Sequence, residues 1–504
     1  MHDFIHITED GVLTRYTGDE AELALPEGLI RIEAEAFRDN ESLRAVTLPR
    51  SLKEIGANAF SGCLNLSHVN FSEGSALVSI EDGAFAFCDF DSFSLPEGLS
   101  HLGKKVFLSC DALERIRIPE GIKELGDALF KNCSALEEIS LPRGALRRIG
   151  AEAFEDCYLL RALSLPDGVE QIGARAFRGC FRLATLSLPQ GLCAIGEDAF
   201  DLCGVLDELT LPMGGRFVMR EGCLIDQREG RVLLLTNHAR IPRDAGIRVI
   251  ASSAASARKG ITSLTVPEGV ERIENRAFAG CDALYEILLP DTLTHIGECA
   301  FLYCSALKEI RLPDGITAIE QGTFHSCTAL TALHFPTGLL HIGKNAFRIC
   351  ASLTRVSLPP SVLTVGESAF EFCENLFSFA LSNPDTAVAD DVCRWCDRLA
   401  VLTLPSCARE PFWLREKKEA LCLGYLAHPD WHTDAAAAHR RRYAASHKAE
   451  LLRHVKKHRV DPLSFAERLF AALQPDTDER VLWASAARGE GMEALADRLL
   501  PSES

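Results

Sequence analysis

The sequence predicts a mainly β solenoid of about 15 coils of about 23 residues, followed by a small all-α C-terminal region. Three observations predict it. The motif L-P-x-G-[LVI]-x-x-I-G-x-x-A-F-x-x-C-x-x-L-x-x-[LIV]-x recurs with a period that is mostly 23 residues. Thirteen of the 19 cysteines fall in one column of that motif. From about Cys407 the motif gives way to Ala, Arg, His and Lys at helical spacing.

The Phe column sets the register. It runs Phe37, Phe60, Phe85, Phe107, Phe130, Phe154, Phe177 and Phe200, then resumes at Phe278, Phe301, Phe324, Phe347 and Phe370. Ala255 and Cys393 continue it in two degenerate repeats, with Arg258 and Cys396 in the Cys column. Each unit of such an array buries its apolar side only by stacking on its neighbours. The L-x-x-[LIV]-x-L stretch alternates like a strand, so Val46 and Leu48 point inward while Ala45 and Thr47 face solvent. The following Pro ends the strand, since it cannot donate to a ladder. The Gly two residues later is expected to serve a tight turn. The segment [LVI]-x-x-I-G-x-x-A-F reads as a short strand or 3₁₀ turn on the opposite wall, with the Phe filling the interior.

This consensus resembles the Treponema pallidum type leucine-rich repeat of the BspA-like bacterial proteins. The resemblance covers about residues 20–405 and implies a leucine-rich repeat solenoid. It also implies that many relatives are surface proteins. Asp10 to Gly18 is similar to the hairpin that opens such arrays, and its expected task is to cover the first coil. Phe217 to Asp226 looks similar, with Val232 to Leu235 as a return strand. The expected organisation is a capping hairpin over 1–20, a solenoid over 21–406 with an inserted hairpin near 213–240, and a helical cap or domain over 407–504.

The cysteine column reads as a packing position. Asn40 holds it in the first repeat, where a small buried side chain can hydrogen-bond a turn; a thiol does the same more weakly. A metal site needs ligands that converge, and a ladder spreads them along an axis. Cys393 and Cys396 fit the repeat register, so they read as core positions. No metal and no cofactor is expected.

A solenoid carries function on its variable positions. The two outward columns of the longer strand are small, polar and mixed in charge. Their candidate partner-binding residues are Arg115, Arg117, Glu138, Glu208, Glu286, Glu309, Arg311 and Arg355. No stripe of aromatic rings and no column of carboxylates runs along them.

In the tail, helices are expected near 411–427, 433–458, 462–473, 477–488 and 491–500. Asp461-Pro462 is a cap followed by Pro at the first helical position, and Arg488-Gly489 is a turn. The basic helix over 433–459 offers Arg440, Arg441, Arg442, Arg453, Lys456 and Lys457 for contact with phosphate or an acidic protein surface. His447, His454 and His458 share a face of it, but no carboxylate ligand and no H-E-x-x-H accompanies them.

The 504 residues carry 53 Lys+Arg against 71 Asp+Glu, a formal net charge of −18. The last 98 residues hold 16 and 15 of these, so the repeats carry all of the acidity. That disfavours nucleic acid as a partner of the whole chain. No apolar run reaches the roughly 18–20 residues of a membrane span. Met1 to Asp10 lacks a basic and an apolar region of the kind that exports a chain, so the expected place is the cytoplasm. Cell-surface or secreted placement by a non-standard route is the alternative. No Gly-rich phosphate loop or G-x-S-x-G is present, and no catalytic residue is assigned. The expected function is a non-enzymatic protein–protein interaction scaffold whose protein partner is unknown, with the tail docked on its own solenoid or on a second copy. The alternative is a surface adhesin; a nucleic-acid role through the basic helix ranks below both.

Overall fold

The 23-residue period becomes a 23-residue strand register. In a computed structural model, which describes residues 4–383, 385–403, 418–427 and 434–500, Ala45↔His68, Val46↔Val69, Thr47↔Asn70 and Leu48↔Phe71 pair in parallel. Val46 and Leu48 are buried and Thr47 is exposed. The I-G segment forms two-residue parallel strands, such as Gln171–Ile172 beside Arg148–Ile149 and Ala194–Ile195. Each coil thus has a long-strand wall and a short-strand wall. The fold is the mainly β solenoid the repeat predicts, with a small helical C-terminal region.

The chain divides into two units, Met1–Ile261 and Thr262–Ser504. In the first, Ile5–Ile7 pairs antiparallel with Val12–Tyr16. Val12–Leu13 then pairs in parallel with Arg31–Ile32 and so begins the short-strand wall. The Phe side chains form an interior stack. Successive rings from Phe37 to Phe200 lie 4.6 to 6.2 Å apart and nearly parallel. Tyr16 extends the stack at 4.9 Å from Phe37. In the second unit the rings of Phe278, Phe301, Phe324, Phe347 and Phe370 stack at 5.0 to 5.4 Å.

The cysteine column bonds one coil to the next. Cys133 Sγ donates to the Phe107 carbonyl at 3.0 Å, and the same carbonyl accepts the Cys110 backbone N–H. Both lone pairs of a buried carbonyl are thereby used. The bond repeats from Cys63 to Cys203 and from Cys304 to Cys396. Asn40 bonds Gly18 in the same way with its amide, at 2.9 Å. Burial pushes Cys110 and Cys203 up to about 12 and Cys157 and Cys180 well above the ordinary thiol value. Thiols held this way are poor nucleophiles. Native protein treated with Ellman's reagent should therefore react first at exposed Cys193, slowly at half-buried Cys299, and at the ladder only on denaturation. Rapid native labelling of ladder thiols would contradict the ladder.

The glycine after the L-P pair lies in the expected turn, at Gly98, Gly121, Gly168 and Gly315 among others, but at most of these positions its φ is not left-handed. At Gly121 the constraint is space, since a Cβ there would stand 2.6 Å from the Leu99 carbonyl of the preceding coil. The I-G glycine is held by the same close approach; at Gly173 a Cβ would stand 2.4 Å from the Ala151 nitrogen.

Between Thr210 and Val249 the first unit carries a meander in place of ordinary coils. Phe217–Arg220, Cys223–Asp226 and Arg231–Leu235 are antiparallel neighbours, and the last pairs in parallel with Val249–Ile250. Arg258, in the cysteine column, is 1 % exposed and donates to the Leu206 carbonyl at 2.9 Å.

The helices belong to the second unit: α1 (Lys418–Ala427), α2 (Asp434–Ser446), α3 (Lys448–Lys457), α4 (Pro462–Leu473), α5 (Thr477–Gly489) and α6 (Glu493–Leu499). Asp461 caps α4 by accepting from Ser464 N–H at 2.7 Å. The expected single helix over 433–458 is two helices, broken at His447. There the Ser446 hydroxyl donates to the Arg442 carbonyl, a bond that bends helices. The break lets α3 turn Leu451, Leu452 and Val455 into a core shared with Leu423, Tyr425, Leu469 and Trp483. The expected turn at Arg488-Gly489 falls later, around Gly491. Residues 411–417 of the first expected helix lie outside the described residues. α1 runs along the last strand, Val401–Thr403, so closely that a Cβ at Gly424 would meet the Leu402 carbonyl at 2.1 Å.

Candidate functional site

The eight candidate residues of the long-strand wall are all exposed, but their surroundings differ. In the first unit each has a neighbour on the protein. Arg115 lies in register with Glu138, 3.8 Å away. Arg117 reaches Glu97 at 2.9 Å, and Glu208 accepts from the Thr185 hydroxyl at 2.9 Å. Exposed contacts of this kind add little stability, yet they give each of these side chains a local partner.

The wall's hydrogen-bond ladder is interrupted in both units. In the first it breaks between His68–Phe71 and Ser92–Ser94, where a shallow, mainly polar cavity of about 630 Å³ lies. In the second it breaks between Glu286–Leu288 and Glu309–Arg311, where a shallow cavity of about 440 Å³ lies. Glu286, Glu309 and Arg311 line it together with Tyr285, Leu288 and Lys308. Glu309 contacts the His334 ring at 3.2 Å. Neither Glu286 nor Arg311 has an ion-pair partner among the described residues. Leu288 is 55 % exposed and Tyr285 47 %. Arg355 stands further along the wall, in register with Ser378. The structure thus brings three of the four second-unit candidates together around an apolar centre. The sequence signal for that centre is Leu288 itself, an aliphatic residue in a column that otherwise reads Thr265, Arg311, His334 and Ser357.

A second cavity, of about 260 Å³, lies in the first unit between Ala194–Ile195 and the meander. The charges at its meander side pair with one another. Arg216 grips Asp226 at 2.6 Å, Glu229 at 2.7 Å and the Cys193 carbonyl at 2.8 Å. Burial alone would raise the Asp226 carboxyl; the bonds from Arg216 outweigh it and hold it below the ordinary carboxylate value.

The six basic candidates of the tail are split between α2 and α3. Arg441 donates to the Tyr425 hydroxyl at 2.6 Å, and Arg442 to the Ala438 carbonyl. Arg453 pairs with Glu490 at 3.2 Å and Lys456 donates to the Glu490 carbonyl at 2.7 Å. Arg440 is half-buried and Lys457 is exposed. Several of these cations therefore hold the helices together. His454 contacts the Ala400 carbonyl at 3.1 Å and lies 4.3 Å from the tilted His458 ring, whereas His447 stacks on Tyr443. Among the described residues no group of three or more His, Cys, Asp or Glu is placed to hold a metal ion. No helix among them is long and apolar enough to cross a membrane.

Sequence reasoning missed a column of alternating charge one residue after the Phe. Lys131, Glu155, Arg178 and Asp201 follow one another there, and each cation reaches across a coil. Lys131 meets Glu155 at 2.9 Å, and Arg178 meets Glu155 at 2.7 Å and Asp201 at 3.2 Å. The alternation of sign at the repeat period was the available signal.

Comparison with known proteins agrees with this architecture. The model of the BspA type leucine rich repeat region matches in six copies, over residues 16–137, 74–164 and 248–377. Among solved structures, the chain is similar to a leucine rich cell surface protein from Faecalibacterium prausnitzii. The identity is 25%, the TM-score 0.54, and the match covers 75% of this chain and 92% of that one. It is also similar to the leucine rich repeat protein of T. pallidum, at 29% identity and a TM-score of 0.31, over 42% of this chain and 89% of that one. A leucine-rich repeat protein from Eubacterium ventriosum is 18% identical with a TM-score of 0.48, over 76% and 91%. No curated protein matches. With the family model spanning more than half of the residues, and the Phe stack and thiol ladder in its register, the chain belongs to the BspA-type leucine-rich repeat proteins.

Proposed function

We propose that this protein is a non-enzymatic scaffold that binds a protein partner on the long-strand wall of its second unit. The observation that carries the reading is the open stretch of wall around Leu288, where an exposed apolar side chain is ringed by charges, of which Glu286 and Arg311 make no ion pair among the described residues. Exposed apolar surface rimmed by polar groups marks interaction sites. The candidate side chains of the first-unit wall each have a local partner, so that wall supports the reading less.

The test is an affinity capture from the source organism with the wild-type chain and with a Glu286→Lys, Leu288→Lys, Glu309→Lys variant. The reading expects a protein captured by the first and lost by the second. Equal capture by both would remove this wall from consideration.

For placement, similarity to a cell surface protein of F. prausnitzii favours display at the cell surface over the cytoplasm. The thiol-rich core does not argue against it, because the ladder thiols are buried and protonated. Cell fractionation decides: recovery in the envelope or medium supports surface display, and recovery in the cytosol rejects it.

A further inference from the structure

The opening around Leu288 also has a chemistry of its own. Glu286 and Glu309 occupy the same column on neighbouring strands, and like charges side by side on a sheet are unfavourable. The His334 ring stands beside Glu309; Lys308 and Arg311 line the same opening, yet Glu286 makes no ion pair among the described residues. A positive group brought from outside would relieve that repulsion. Glu286 and Leu288 are two residues apart, so they face the same side of the strand, about 6–7 Å from each other. In an extended polypeptide, side chains two residues apart are separated by the same distance.

We propose that this opening receives an extended segment of a polypeptide partner that carries a basic side chain and an aliphatic one two residues apart. The basic group sits between Glu286 and Glu309, and the aliphatic group covers Leu288. Arg311, on the far side of the opening, is placed to meet a carbonyl or carboxylate of the same segment. This inference rests on the protein-binding reading above and narrows it to one class of sequence.

The experiment uses the full chain and fluorescein-labelled heptapeptides. One pair carries lysine and leucine two residues apart, in either order, among alanine and serine. A second pair replaces the lysine by glutamate, and a third replaces the leucine by serine. Fluorescence anisotropy should show one lysine–leucine peptide bound at least about tenfold more tightly than its glutamate and serine counterparts. Glu286→Gln with Glu309→Gln should reduce the lysine–glutamate difference to about twofold or less, and Leu288→Thr should do the same to the leucine–serine difference. All three positions are exposed and threonine is native to the column at Thr265, so the variants should keep the wild-type circular dichroism.

Equal binding of lysine and glutamate peptides overturns the inference. So does discrimination that survives the Gln variant, or no binding of any peptide at about 1 mM. The capture experiment separates the two levels. If the triple Lys variant loses its captured protein while the peptides fail, protein binding stands and the basic–aliphatic segment falls. If the triple variant keeps the captured protein, the underlying reading falls.

Discussion

Phe154→Ala is expected to destabilise the protein by about 3–5 kcal/mol. Phe154 is fully buried and stacks between Phe130 at 5.6 Å and Phe177 at 5.4 Å. Alanine removes a ring that touches two others, so both neighbours lose contact atoms. The coil cannot close over the gap. Its position is fixed by the Phe154 N–H to Ala176 carbonyl bond at 2.8 Å and by the Cys180 thiol on the Phe154 carbonyl at 3.1 Å. A site that cannot relax shows the upper part of the cavity cost. Tyr158 and Phe181 form the natural control. Their rings also stack, at 5.3 Å, but both are exposed, so Phe181→Ala should cost about 1 kcal/mol or less. Denaturant unfolding followed by circular dichroism compares the two variants in one experiment. Similar small losses from both would mean that the interior stack does not hold the coils together.

The stack was legible because a solenoid turns distance in space into a fixed distance in sequence. Phe130, Phe154 and Phe177 touch, and their spacing announces it. The cysteine column was legible for the same reason, although its bonding partner, the Phe carbonyl one coil back, has no side-chain signature. The candidate site was only half legible. Glu286, Glu309 and Arg311 could be named as outward residues from alternation alone. Whether the strands beside them actually pair depends on how two backbones diverge, and identical columns give paired strands at Arg115 and an interrupted ladder at Glu286. The tail lost most. Its helices carry no repeat to fix register, and the break at His447 arises from a local serine bond and from what α3 packs against. A continuous helical pattern contains neither.

The second large effect is expected at Arg178→Met. The guanidinium bridges two carboxylates that are almost fully buried, Glu155 at 3 % exposed and Asp201 at 1 %. Methionine keeps much of the aliphatic bulk and removes the charge. Glu155 keeps Lys131 at 2.9 Å, so the loss falls mainly on Asp201. Breaking a buried pair by removing one partner costs about 3–5 kcal/mol, because the remaining charge stays out of water while losing that counterion. The cost is therefore that of a buried charge deprived of the Arg178 guanidinium, and not the worth of the pair. That distinction is measurable. Asp201→Asn in the Arg178→Met background removes that buried charge, so the double variant should be more stable than Arg178→Met alone. Arg175→Met is the contrasting case, since Arg175 reaches Glu152 at 2.6 Å with a side chain about half exposed, where an ion pair adds little. If Arg178→Met and Arg175→Met unfold at the same denaturant concentration, or if Asp201→Asn deepens the loss, the charged column is surface decoration and the coils are joined by the Phe stack and the thiol ladder alone.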